Sequence, residues 1–102
     1  MIMVDELVKW PHAKHRCFRA GACHLTTDGP IDELHEFAGR IGLLRSWFQE
    51  HASAPHYDLT VGRREAALAA GAVFVPAREQ ARARIARREK SCRPRRREGK
   101  GS

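Results

Sequence analysis

The amino-acid sequence predicts a small α/β domain, with a three- to four-stranded sheet, two packed helices, and a basic C-terminal helix and tail. The first observation is a helical pattern ending at Gly71 that runs directly into the apolar stretch 72–75. A helix followed directly by an apolar strand is typical of the second half of a βαβ unit. Because the two strands of such a unit are parallel, the pattern favours some parallel pairing. The second observation is the charge distribution, because residues 76–102 hold eleven of the 19 Lys and Arg residues but only three of the 12 Asp and Glu residues. The chain therefore divides into a near-neutral α/β domain, residues 1–76, and an Arg-rich helix and disordered tail, residues 77–102.

Short apolar runs between turn signals predict the strands, which are residues 2–4, 22–26 and 72–75. The first run ends at Asp5-Glu6, so it brings two carboxylates to the C-terminal end of a strand. The third run is uniformly apolar and stops at Pro76, so we expect a buried strand there. Residues 43–49 fit either a short strand or a turn of helix, and residues 52–55 fit a loop.

Two helices are predicted from apolar periodicity and from their end signals. The first has an apolar stripe made of Ile31, Leu34, Phe37, Ala38 and Ile41. Pro30 stands in its first turn and Gly42 fits its end. The second is capped by Thr60, runs to about Ala70 and stops at Gly71.

Composition limits the class of protein. A domain of this length buries only about 60% of its unfolded surface, so a second subunit, a metal or a protein partner would help to stabilise it. The longest apolar stretch is far shorter than the roughly 20 residues of a membrane span, so no membrane association is expected. The odd count of three cysteines and the absence of a recognisable signal peptide predict reduced thiols and a cytoplasmic location.

Several short motifs, taken together, resemble a known family. They are Val4-Asp5-Glu6, Cys23-His24-Leu25-Thr26-Thr27-Asp28, Asp32-Glu33-Leu34-His35, Trp47-Phe48-Gln49, His56-Tyr57-Asp58-Leu59 and Gly71-Ala72-Val73. Their order and spacing are similar to those of the small bacterial and phage proteins grouped as domain of unknown function 4031. That family has no established activity, so the resemblance implies no catalytic roles. The family pattern usually has Asp where this chain has Glu6, and the Arg-rich tail is not part of the pattern and looks like an addition.

The segment His12–His24 is crowded with potential zinc ligands, namely His12, His15, Cys17, Cys23 and His24. Structural zinc sites favour pairs such as C-x₂-C, in which a tight turn directs two ligands at one ion, and this spacing is absent here. Adjacent Cys23 and His24 would also point to opposite faces of a strand. The segment therefore divides into a basic loop with no required role and a His24 that belongs to the domain.

A more informative set of polar residues falls at the ends of predicted elements: Asp5, Glu6, His24, His56 and Asp58. In open α/β sheets, binding sites collect at the carboxyl ends of strands. Carboxylates and imidazoles gathered there would suit Mg²⁺, Mn²⁺ or Zn²⁺, and such an ion could activate water against a phosphodiester. The structural alternative is that Asp5 caps a turn, His24 is a core histidine with its hydrogen bonds satisfied, and 56–58 fixes a loop.

Two further side chains stand out. His35 lies at the rim of the first helix's apolar stripe, which fits a boundary histidine. Arg64 falls inside the apolar sector of the second helix and needs a partner, for which the Asp58 carboxylate is a candidate. A structural ion pair is the first interpretation of Arg64, and substrate or phosphate binding is the second.

The Arg-rich segment is the strongest physical signal. Its candidate nucleic-acid-binding residues are Arg82, Arg84, Arg87, Arg88, Lys90, Arg93, Arg95, Arg96 and Arg97. Such cationic arms neutralise phosphates and bind with strong salt dependence and little sequence preference. The alternative is a tail that confers solubility or binds an acidic protein.

Three functions therefore stay open from the sequence. The first is a nucleic-acid-associated or regulatory binding module that uses the basic tail, with a protein partner or a second copy as further options. The second is a metal-dependent hydrolase acting on nucleic acid or nucleotide through Asp5, Glu6, His24, His56 and Asp58. The third is a phage inhibitor of a host protein.

Overall fold

The computed structural model describes residues 1–51 and 54–101, with side chains described as far as residue 89. Within these residues a four-stranded mixed sheet and three α-helices form, which confirms the predicted α/β class. The strand order is β3-β2-β1-β4, with β1 Ile2–Val4, β2 Ala22–Thr27, β3 Tyr57–Thr60 and β4 Val73–Phe74. The predicted loop at 52–55 includes residues 52 and 53, which lie outside the described residues.

The centre of the sheet is antiparallel. β1 pairs with β2, and β2 pairs with β3 in a register that sets Cys23 opposite Leu59 and His24 opposite Asp58. β3 was not predicted as a strand, because its alternation of polar and apolar side chains covers only four residues and passes directly into a helix. The parallel pairing that the sequence favours occurs between β1 and β4.

Both predicted helices are confirmed, α1 as Ile31–Arg40 and α2 as Val61–Ala69. The Thr60 hydroxyl caps α2 by accepting a hydrogen bond from the backbone N–H of Arg63. Past the two helix ends, Gly42 and Gly71 adopt φ values of +86° and +112°, which glycine tolerates and side-chain-bearing residues rarely adopt. The ambiguous residues 43–49 contain a single 3₁₀ turn, Arg45–Trp47.

β4 differs from its prediction. Val73 and Phe74 are 43% and 47% exposed, so this strand is not buried. The reason is its position, since β4 pairs only with β1 and forms one edge of the sheet. An apolar run of this length looks the same in sequence whether it lies at the centre or the edge of a sheet.

One face of the sheet packs against α1 and α2 to form the core. Leu25, Tyr57 and Leu59 on the strands are essentially fully buried, and so are Leu34 of α1 and Ala67 of α2. Side chains alternate between faces along a strand, so the neighbours of these core residues lie on the other face.

The third helix, α3 (Ala77–Gly101), is anchored to that other face at its beginning. The Glu6 carboxylate accepts a hydrogen bond from the backbone N–H of Ala77, and the Thr26 hydroxyl donates to the side chain of Gln80. α3 includes residues 91–97, where the composition predicts disorder. None of the helices in the described part of the chain is long and apolar enough to span a membrane.

The cap at Thr60 gives a direct test of this arrangement. We expect Thr60→Ala to lower the free energy of unfolding by about 1 kcal/mol, because the N–H of Arg63 loses its acceptor. Urea denaturation followed by circular dichroism measures the change. Thr60→Ser, which keeps the hydroxyl, is the control and should retain most of the stability; an equal loss in both variants would contradict the capping role.

Candidate functional site

Three polar side chains meet on the sheet face opposite the core. His24 and Asp58 are direct cross-strand neighbours of β2 and β3, and His56 lies two residues before Asp58 and so shares its face. One ligand atom from each residue, an imidazole nitrogen or a carboxylate oxygen, lies within 4.8 Å of the others. Asp58 Oδ1 is 3.9 Å from His24 Nε2 and 3.5 Å from His56 Nε2, and the two imidazole rings meet edge to face. We call His24, His56 and Asp58 the triad.

Asp5 fixes the orientation of His24. Its carboxylate accepts two hydrogen bonds of 2.7 Å from that residue, one from the backbone N–H and one from ring Nδ1. Because a carboxylate only accepts, the Nδ1 proton must stay in this bond, and Nε2 is the atom that faces the triad. Asp5 itself is buried at the base of the cleft beside the triad, where it fixes the ring of His24.

The other two members of the triad are braced in the same way. His56 donates from Nδ1 to the backbone carbonyl of Ala54 at 2.9 Å, which leaves its Nε2 for the triad. Asp58 Oδ2 accepts from the Gln49 side-chain amide at 2.6 Å, which leaves Oδ1. Each of the three residues therefore has one polar atom held by the protein and one directed at the shared centre.

The triad concentrates negative electrostatic potential at one point. When both histidines are neutral, two Nε2 lone pairs and a carboxylate oxygen face one another, and such a group of acceptors favours a cation. The hydrogen bond to Asp5 raises the pKa of His24, and the Asp5 and Asp58 charges add to it against burial and the neighbouring His56. The interaction with Asp58 likewise raises the pKa of His56. Because metal binding requires neutral imidazoles, protons and a metal ion would compete for the two Nε2 atoms.

Glu6 does not join the triad although it is adjacent to Asp5. Its carboxylate caps the N-terminus of α3 through the Ala77 N–H at 2.9 Å. Asp5 binds His24 and Glu6 binds the start of α3, so the two carboxylates that are adjacent in sequence have different partners. The metal-capable group among the described residues does not include Glu6, and a role for Glu6 in metal binding stays a prediction.

His35 and Arg64 also lie outside the triad. His35 shares a 2.8 Å hydrogen bond with the buried Tyr57 hydroxyl and packs edge to face against Phe48, as expected of a boundary histidine. Arg64 donates from Nε to the backbone carbonyl of Asp5 at 3.2 Å, and its guanidinium lies 5.6 Å from the Phe74 ring centre. Its partners are thus a carbonyl and an aromatic ring, in place of the Asp58 carboxylate that the sequence suggested.

The potential zinc ligands of the segment His12–His24 lie in different parts of the structure, as the sequence predicts. His12, His15 and Cys17 are exposed on the loop before β2, and within the described residues they take no part in the metal-capable group. Cys23 is buried in the core, and desolvation raises its pKa to about 11. A thiol with that pKa stays protonated at neutral pH, which disfavours a cysteine nucleophile.

A cleft of about 240 Å³ opens beside the triad. It is lined by Asp5, His24, Thr26, His51, Ala54, His56, Ala77, Gln80 and Arg84. Sequence reasoning did not single out His51, Gln49 or Gln80 for this site, since Gln49 entered only as part of the motif Trp47-Phe48-Gln49 and the other two lie in no recognisable motif. Their only signal was proximity in sequence to His56 or to the start of the basic helix.

The basic residues of α3 are described in part. Arg82, Arg87 and Arg88 are exposed and Arg84 is half-buried in the cleft. The side chains of the other candidates lie outside the described residues, namely Lys90, Arg93, Arg95, Arg96 and Arg97.

A family model described as "Protein of unknown function (DUF4031)" matches residues 2–88. The chain belongs to the DUF4031 family. This confirms the resemblance seen in the short motifs. The DUF4031 match continues past Val75 to Arg88, so the first half of α3 lies within it, and the expectation that the whole Arg-rich segment is an addition is corrected for residues 77–88. No curated protein and no solved structure shows a significant match.

The Asp5–His24 bond predicts a change in titration. In the metal-free protein Asp5→Asn should lower the pKa of His24, since it removes the hydrogen-bonded charge that raises it, and NMR titration of the ring Cε1–H measures this. A raised folded-state pKa stabilises the fold below about pH 6.5, and that contribution is lost as pH rises through the folded pKa. Asp5→Asn should therefore weaken this acid-side stabilisation. Glu6→Gln is the control and should leave His24 unchanged; equal shifts in both variants would refute the bracing role.

Proposed function

We propose that this protein is a divalent-metal-dependent hydrolase acting on phosphate esters of nucleic acid or nucleotide. In this proposal His24, His56 and Asp58 bind the ion and Asp5 orients His24. The observation that supports it is that all three residues of the triad direct one lone-pair atom at a common centre while the protein holds their other polar atom. Metal-binding histidines typically donate their second ring N–H to a carboxylate or a backbone carbonyl, and His24 and His56 make these two bonds respectively.

The separations in the triad are compatible with one ion. Two ligands at Zn²⁺ bond lengths and a tetrahedral angle lie about 3.4 Å apart. The distances from Asp58 Oδ1 to His56 Nε2 and His24 Nε2 are 3.5 and 3.9 Å, so small side-chain movements would complete the coordination.

The donor set favours one of the three metals that the sequence left open. Imidazole suits Zn²⁺ and other transition metals, whereas Mg²⁺ prefers an octahedron of oxygen ligands. Two imidazoles and one carboxylate therefore favour Zn²⁺, with Mn²⁺ next. The same ligands also serve non-haem Fe(II), so a metal panel should include Fe²⁺ under anaerobic conditions.

Access to solvent favours a catalytic over a structural ion. Structural zinc sites have four protein ligands, whereas catalytic sites have three and keep one position for water. The His24 side chain is 50% exposed and borders the 240 Å³ cleft, so a fourth position would face a space that can admit substrate. An ion bound there would lower the pKa of its water toward neutrality and supply a nucleophile for ester hydrolysis.

Metal binding is the primary test. Isothermal titration calorimetry should show one Zn²⁺ or Mn²⁺ per wild-type chain, and His56→Ala and Asp58→Ala should abolish or strongly weaken binding. Asp5→Asn should weaken it about 10- to 100-fold, because orienting partners of a ligand typically have this effect. His15→Ala removes an exposed loop histidine and should bind as wild type. Absence of an ion in the wild type, or equal loss in His15→Ala, would refute the metal centre.

The same proteins test catalysis. Metal-loaded wild type should hydrolyse a chromogenic phosphodiester, and the activity should disappear on chelation and in His56→Ala. A protein that binds the ion tightly but hydrolyses neither this ester nor DNA, RNA or nucleotides would have a structural ion, and the hydrolase proposal would fail.

Nucleic-acid binding by the basic segment is a second candidate, favoured by the exposed arginines Arg82, Arg87 and Arg88 on one helix. We expect Arg95→Gln, Arg96→Gln and Arg97→Gln combined in the full chain to reduce the slope of log K against log[salt] for duplex DNA by up to about 3. Fluorescence anisotropy at several salt concentrations measures it.

The control for this prediction has the same net charge. It combines Lys9→Gln, Lys14→Gln and Arg16→Gln, which are exposed residues of the first 16 positions. Equal slopes in the two triple variants would show a general charge effect and contradict a specific role for the tail.

A further inference from the structure

The first turns of α3 form one wall of the cleft beside the triad. Ala77, Gln80 and Arg84 are spaced three and four residues apart, which places them on one face of the helix, and all three line the cleft. The arginine is therefore the basic group that this helix brings to the proposed metal centre.

This wall is held firmly at its base. Gln80 is 6% exposed; its amide donates to the Val75 carbonyl at 2.8 Å, and its oxygen accepts from the Thr26 hydroxyl at 2.7 Å. Thr26 lies on the same strand and the same face as His24. One strand thus positions both the triad and the helix turn that precedes Arg84.

Arg84 differs from the other half-buried arginines of the described chain. Arg63 donates to the Ile41 carbonyl at 2.8 Å and lies over the Trp47 ring. Arg64 has the Asp5 carbonyl and the Phe74 ring. Among the described residues, no hydrogen bond or ion pair is made to Arg84. A partly desolvated guanidinium is normally paired, so Arg84 has hydrogen-bonding capacity available for a ligand in the cleft.

We infer that Arg84 binds a phosphate group of the substrate next to the ion held by His24, His56 and Asp58. This inference rests on the proposed function and adds the substrate-binding residue and the class of ligand. Arginine is suited to the task because its planar fork of donors matches two phosphate oxygens and its charge is permanent. A cation on each side of a phosphate is also the arrangement that stabilises charge in phosphoryl transfer.

The space around Arg84 extends beyond the triad. A second groove of about 410 Å³ shares Arg84, Gln80 and Thr26 with the cleft and contains Arg87, one helical turn farther on. Its acidic residues are Asp28, which pairs with the amino-terminal nitrogen at 2.8 Å, and the exposed Glu79. Two arginines on one helix face would contact successive phosphates of a strand, so the ligand is a phosphate ester with room for a continuing chain.

The experiment uses the full chain loaded with metal after its metal affinity has been measured. Inorganic phosphate, a nucleoside 5′-monophosphate and a short single-stranded DNA are titrated into wild type, Arg84→Ala, Arg84→Lys and Arg78→Ala. Arg78 is an exposed arginine near the start of the same helix and serves as the matched control. Arg84→Ala should weaken binding of all three probes about 10- to 100-fold while metal affinity stays unchanged, and Arg84→Lys should recover part of the loss.

The outcomes separate this inference from the proposed function. The role of Arg84 would be overturned if Arg84→Ala bound the probes as tightly as Arg78→Ala does. It would also be overturned if Arg84→Ala lost metal affinity together with phosphate affinity. Absence of metal from the wild type refutes the metal centre instead, and a loss of phosphate binding confined to Arg84→Ala would still support the phosphate site. A larger loss for the DNA than for the nucleotide in Arg84→Ala assigns the site to nucleic-acid strands, and an equal loss assigns it to nucleotides.

Discussion

The antiparallel pairing of β2 with β3 is the constraint on which the rest of the structure depends. Its register sets Leu25 opposite Tyr57 on one face of the sheet and His24 opposite Asp58 on the other. The apolar pair lies in the core, so the register is fixed by burial, and a slip of one residue would expose the core side chains. The geometry of the polar face is therefore enforced by the packing of the apolar face.

The sequence revealed the parts of this site but not the reason that they meet. The sequence predicts these polar residues at the ends of elements, near the carboxyl ends of strands, and Asp5 and Glu6, which follow β1, fit that expectation. His24 lies inside a strand, and it meets Asp58 through a strand pairing that involves β3, a four-residue element which periodicity does not reveal. Long-range strand pairing depends on the fit of two distant segments, and local pattern contains no direct signal for it.

The helices were easier to predict because their signals are local. Thr60, Gly42 and Gly71 fix the ends of α1 and α2 through hydrogen bonds and backbone angles that involve only nearby residues. α3 shows the limit of that reasoning. Its composition indicated a solvated cationic tail, yet Gln80 is buried against Thr26, 54 residues away in sequence. In the sequence, a single glutamine within an Arg-rich helix does not indicate such a contact.

Asp5 and Glu6 are adjacent in sequence but bind different parts of the structure. Asp5 is held by two hydrogen bonds from His24, and Glu6 is held by the N-terminus of α3, where a carboxylate complements the helix dipole. One carboxylate thus orients the triad, and its neighbour sets the start of the helix that brings Arg84 to the same cleft. Because both contacts begin from adjacent residues of one extended segment, a shift of β1 along the sheet would displace His24 and α3 together. The acidic pair that first suggested a shared metal site thus links the metal-capable residues to the basic helix.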